Sequence, residues 1–81
     1  MKLWIGNIAP GTSDEDVKAF IAKYAPAFTC TGITRVDGSG SRPAAILEFA
    51  EVPLAALETI SMRLNGMYWK ERELLVQVMT R

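Results

Sequence analysis

The chain reads as an α+β domain, strand–helix–strand–strand–helix–strand, with a four-stranded antiparallel sheet and two helices on one face. Three observations predict it. Val17, Phe20, Ile21 and Tyr24 recur at i, i+3, i+4 and i+7, as do Leu57, Ile60 and Leu64 at similar spacing, which marks two amphipathic helices. Apolar residues alternate in Leu3-Trp4-Ile5, in Ala45–Phe49 and in Leu74–Val78, which marks strands. Thr, Ile and Val crowd the segment between Phe28 and Val36, which supplies the remaining strand.

The size of the chain limits what it holds. Eighty-one residues make one domain, 1–81, and at this length folding buries only about 60% of the unfolded surface. A hydrophobic fraction of 49% is enough for a core and argues against disorder. Nine basic and nine acidic residues cancel to a net charge of zero, so any positive region is local.

The first strand sets Leu3 and Ile5 on one face and Trp4 on the other. Gly6-Asn7 and Pro10-Gly11 then break it into a loop. An indole on an open strand face serves either as a partly covered surface group or as a stacking platform. Ser13 caps the first helix, with Asp16 as the reciprocal member of a capping box. Asp14, Glu15 and Asp16 occupy its first turn, where the helix dipole favours negative charge. Adjacent helical positions diverge, so these carboxylates do not converge on a cation. Pro26 stops the helix.

In the second strand, Ile33 and Val36 both read as core residues although three apart. A bulge between them resolves this and places Arg35 near the open face. Asp37-Gly38-Ser39-Gly40-Ser41 is a flexible hairpin connection and lacks the Gly-Lys-Ser/Thr of a phosphate loop. The third strand, from about Pro43 to Phe49, turns Ala45, Leu47 and Phe49 inward and Ala44, Ile46 and Glu48 outward. Pro53 suits the first position of the second helix, which has a poor cap, and Asn65-Gly66 ends it. The last strand, Glu73 to Met79, sets Leu74, Val76 and Val78 against Leu75, Gln77 and Met79. This order is the ferredoxin-like split β-α-β arrangement (βαββαβ), and it leaves one sheet face open. With the strand order 4-1-3-2, Trp4 and Ile46 lie side by side at mid-sheet.

Several classes fall away. The chain has no histidine, which removes the commonest general base and metal ligand. Cys30 is the single cysteine and reads as a small hydrophobe, so no internal disulfide or cysteine-rich metal site forms. No nucleophile–base pair or ligand cluster stands out, so we expect no enzyme, no cofactor and no metal. No apolar run reaches the length of a membrane span and no signal pattern opens the chain. The expected setting is cytoplasmic, with no membrane partner, and the Met1 start suggests a free-standing protein.

Leu3-Trp4-Ile5-Gly6-Asn7-Ile8 resembles the first-strand signature of the RNA-recognition motif: aliphatic, aromatic, aliphatic, any residue, Asn, aliphatic. Ser13-Asp14-Glu15-Asp16-Val17, Leu64-Asn65-Gly66 and Arg72-Glu73-Leu74 with Val76 resemble its helix and strand boundaries. The likeness covers nearly the whole chain. It implies single-stranded RNA as the partner, bound on the open sheet face by Trp4, with Lys2, Arg35 and Arg42 on phosphates and Ile46 and Gln77 beside the aromatic.

The third strand departs from that pattern. Arg42-Pro43-Ala44-Ala45-Ile46-Leu47-Glu48-Phe49 keeps the basic residue, but Ala44 and Ile46 stand where the family has two exposed aromatics. Two missing platforms remove on the order of 2–6 kcal/mol, or roughly 30-fold to 10⁴-fold in affinity. The expectation is weak or context-dependent RNA binding. The alternative is a protein- or peptide-binding module, or a homodimer, through the apolar patch of Trp4, Ala44, Ile46 and Leu75. Peptide-binding members of the family use an Arg-any-aromatic motif after the second helix. Met67-Tyr68-Trp69 aligns with it but has Met in place of Arg, and Trp69 reads as core.

Overall fold

The structure, a computed structural model, describes residues 1–36 and 43–79. Its elements are β1 (Lys2–Gly6), α1 (Asp14–Tyr24), β2 (Cys30–Val36), β3 (Ala44–Phe49), α2 (Leu54–Leu64), β4 (Tyr68–Trp69), β5 (Arg72–Glu73) and β6 (Leu75–Met79). The main sheet has the order β2-β3-β1-β6, all antiparallel, with β1 and β3 central. This is the ferredoxin-like arrangement the sequence predicts.

The strand parity puts Leu3, Ile5, Leu47 and Val76 into the core, where they meet Val17, Phe20 and Ile21 of α1 and Leu57, Ile60 and Leu64 of α2. Ile33, Trp69 and Val78, also expected inside, are partly buried and pack against this core. Ile8, which the strand and helix patterns did not place in the core, is fully buried. Ser13 and Asp16 form the predicted capping box, the Asp16 amide donating to Ser13 Oγ at 3.1 Å. Pro53 takes the N-cap of α2 itself, one place earlier than expected, and makes no side-chain cap bond.

The second strand corrects the sequence reading. Its irregularity lies between Cys30 and Gly32, ahead of Ile33. From there Ile33 pairs with Leu47, and Arg35 with Ala45, so both share the helix-facing parity. Thr34 and Val36 are on the open side, and Val36 is exposed. One displaced bulge therefore exchanges the faces of Arg35 and Val36.

The segment after α2 holds an unpredicted element. β4 and β5 form a two-stranded hairpin, with Trp69 paired to Arg72 across Lys70 and Glu71. Both turn residues have positive φ, 52° and 66°. This is the conformation of a type I′ hairpin turn, which Asn-Gly usually supplies. The last strand is thereby divided at buried Leu74, whose amide and carbonyl bond Met67 O and Gly66 N.

Candidate nucleic-acid interface

The open face is organised in rows across the strands. Thr34, Ile46, Trp4 and Gln77 form one row; Glu48, Lys2 and Met79 form the next. Gly6 and Leu75 pair on the opposite flank of the Trp4 row.

Trp4 does not stand upright. A Cβ built on Gly6 would come within 2.7 Å of Trp4 Cζ2 and Cζ3, and closer still to Cη2. The indole thus lies along β1 and over Gly6, in space that only a glycine leaves open. Continuing the register by one step sets Ala44 next to Gly6. The small residue at a position where an aromatic was expected leaves room beside the reclining ring. Ala44, expected on the open surface, is itself buried.

A hollow of about 500 Å³ lies at this end of the ring, lined by Trp4, Asn7, Glu73 and Leu75. Asn7 holds it together. At a left-handed φ of 60°, its Nδ2 donates to Glu73 O at 2.9 Å, and its Oδ1 accepts from Arg72 Nη1 at 3.1 Å. Asparagine tolerates that backbone better than most residues. The end of the first strand is in this way tied to the hairpin that precedes the last one.

The cations do not gather as expected. Lys2 is on the open face but faces Glu48, Nζ to Oε1 at 3.5 Å. Arg35, expected on phosphates, is turned to the helix side: its Nη1 donates to Thr12 O at 2.7 Å and to Asp14 Oδ1 at 3.2 Å. Its role is to tie β2 to the start of α1. Arg42 lies outside the described residues.

On the far side, Trp69 stacks on Phe20, with centroids 4.5 Å apart and planes at 29°. Lys70 Nζ stands 5.4 Å from its centroid and also bonds Asp16 Oδ2 at 2.7 Å. That hydrogen bond, with the Ser13 amide next, holds the Asp16 carboxyl below the usual aspartate range. Trp69 is half-buried and packs against the core, and beside it lies a second hollow of about 310 Å³ lined by Phe20, Tyr24, Trp69 and Lys70, while Tyr68 is exposed. Among the described residues no cluster of potential metal ligands occurs, and no helix is long and apolar enough to cross a membrane.

A solved structure described as "Pes4 RRM3 Structure" is similar to this chain with a TM-score of 0.79 and 18% sequence identity, covering 99% of this chain and 92% of that one. The fold is that of an RNA-recognition motif. No family model matches the chain, and no curated protein matches it in sequence. On the sheet of this RNA-recognition-motif fold, the structure brings Lys2, Trp4, Ile46 and Gln77 together and takes Arg35 away. Sequence reasoning missed Asn7, Glu73 and Leu75 as a group around the aromatic. The available signal was Gly6-Asn7 at the end of the strand, a pair suited to close approach and to a left-handed backbone.

Proposed function

We propose that the protein is a single-stranded RNA-binding module of modest affinity, with the open sheet face as its surface. The observation that carries this reading is the half-buried Trp4 indole, laid flat over Gly6 at the centre of the sheet beside a hollow. A base stacks on such a ring with about 1–3 kcal/mol of stabilisation, whatever its identity. The fold shared with an RNA-recognition motif at 18% identity is in keeping with the reading, but the reading rests on the residues.

The electrostatics set its strength. Lys2 shares its charge with Glu48, and Arg35 serves the α1 junction, so few phosphate contacts are on offer among the described residues. Each contact adds only about 0.7 to the log–log salt slope for single strands. Binding is therefore dominated by stacking, weak, and shallow in its salt dependence. A second reading, protein binding or self-association through the same face, is favoured by exposed Leu75 beside Trp4, with exposed Val36 on the same face two strands away.

RNA titration and sedimentation on wild type, Trp4→Phe and Trp4→Ala separate the two. For RNA, Trp4→Phe loses little, and Trp4→Ala costs about 1–3 kcal/mol of affinity with the fold intact. An absence of RNA binding by wild type, with self-association lost in Trp4→Ala, sinks the RNA reading in favour of the second.

A further inference from the structure

We propose that the hollow beside Trp4 is a guanine-selective base site in which the Glu73 carboxylate accepts from the Watson–Crick edge of the base; this rests on the RNA reading above. The polar groups around the hollow differ in what they have left to offer a base. Asn7 forms part of its wall, yet both ends of its amide are engaged, Nδ2 by Glu73 O and Oδ1 by Arg72. These bonds fix the orientation of the amide, which keeps one N–H and one lone pair but no longer turns to suit a base. Trp4 and Leu75 contribute apolar surface.

That leaves Glu73. It is exposed and lines the hollow, and among the described residues no hydrogen bond or ion pair engages its carboxylate. Its Oε2 lies 3.7 Å from where a Cβ on Gly66 would stand, so the carboxylate rests beside Gly66, and as an exposed side chain it turns from there to meet a base over Trp4. A carboxylate is an acceptor only, with two oxygens suited to a pair of parallel donors. It also repels phosphate, so a backbone-binding role is excluded at this spot.

Among the RNA bases, guanine alone presents two donors side by side, N1–H and the N2 amino group. Adenine and cytosine offer one amino group next to a ring-nitrogen acceptor, which opposes the second carboxylate oxygen. Uracil offers one N–H between two carbonyl oxygens. Unpaired bases in single strands expose these edges to a protein. A bidentate contact of this kind discriminates against the wrong base by roughly 5-fold to 150-fold. In a solvent-open hollow the lower end applies.

The test uses fluorescein-labelled uridine pentamers with guanine, inosine, adenine or uracil at the centre, titrated by anisotropy against wild type, Glu73→Gln and Trp4→Ala. Wild type should bind the guanine pentamer at least about fivefold more tightly than the adenine and uracil ones. Inosine, which lacks the N2 amino group, should fall between. Glu73→Gln should bring the guanine-to-uracil ratio close to one. Equal binding of all four pentamers, still lost in Trp4→Ala, overturns the guanine site and leaves the RNA reading standing. A guanine preference that survives in Glu73→Gln overturns the role of that carboxylate. Binding of none of the pentamers ends the RNA reading and the guanine site with it.

Discussion

The indole of Trp4 occupies the space in which a side chain on residue 6 would lie, so Gly6 decides how the aromatic is presented. Gly6 has no positive φ, unlike Gly11 and Gly66, so its backbone does not call for glycine. The requirement is one of room. Gly6→Ala should therefore fold, because alanine suits a strand as well as glycine does, but the ring must lift off the sheet. In a Trp69→Phe background, Trp4 emission should shift to the red and RNA affinity should fall by about 1 kcal/mol, part of the stacking contribution. Unchanged emission would mean that Trp4 does not rest on Gly6 in solution.

Arg35 gives a prediction opposite to the one its sequence context suggests. Its guanidinium holds Thr12 O and Asp14, and Thr12 is buried. Charged hydrogen bonds of this kind contribute about 1.5–3 kcal/mol each, and partial exposure places this pair at the low end. Arg35→Ala should lower stability by about 1–2 kcal/mol in urea unfolding and leave the salt slope of RNA binding where it was. A reduced slope with unaltered stability would return Arg35 to the phosphates.

The two readings of Arg35 show which parts of this protein are legible in sequence. Helix stripes and the Ser13–Asp16 box depend on local periodicity and capping, and the strand order follows from the succession of elements; these survive into the fold. A bulge does not announce its position. Moving it from between Ile33 and Val36 to the Cys30–Gly32 step keeps Ile33 facing the helices and exchanges the faces of Arg35 and Val36. The hollow was hidden for another reason. Asn7 and Glu73 are 66 residues apart, and the hairpin that joins them turns on Lys70-Glu71, which carries none of the usual turn residues.

That turn can be tested directly. Left-handed backbone costs a side-chain-bearing residue on the order of 1–2 kcal/mol, against about 0.5–1 kcal/mol for the extra freedom of glycine in the unfolded chain. Glu71, at φ 66°, makes no hydrogen bond or ion pair among the described residues. Glu71→Gly should raise stability by about 0.5–1 kcal/mol in urea unfolding. A loss of stability would show that the turn is not strained.

Asp16 gives the fold an acid dependence. Its carboxyl is held below the ordinary aspartate value, chiefly by Lys70. A depressed folded-state value means that the stabilisation is fully present above the unfolded value, about 3.9, and disappears as pH falls through the lower folded one. Urea midpoints measured downward from pH 6 should show wild type ahead of Asp16→Asn, with the gap narrowing only below about pH 4. A gap that is the same at every pH would assign the effect to capping and not to the charge.

The last strand is an edge of the sheet, and α2 closes part of it. Val76 has its core-side neighbour in Ile5 of β1, yet its own amide donates to Asn65 Oδ1 at 3.0 Å and its carbonyl accepts from Ser61 Oγ at 3.1 Å. Both backbone groups therefore point away from β1, toward where a further strand would add. Exposed edges of this kind template pairing between chains, and the side chains of Ser61 in α2 and of Asn65 at its C-cap occupy the bonds that such pairing would use. Ser61 is buried, so Ser61→Ala leaves a covered carbonyl without its donor and should cost about 1–3 kcal/mol. Met62, beside it but exposed, serves as the comparison: Met62→Ala should change stability by no more than about 0.5 kcal/mol. The double variant Ser61→Ala, Asn65→Ala uncovers both groups, and should associate at concentrations where wild type does not. Sedimentation across a concentration series, with urea unfolding of each variant, reads both effects. If the double variant sediments like wild type and loses no more stability than Met62→Ala, Ser61 and Asn65 do not guard the edge.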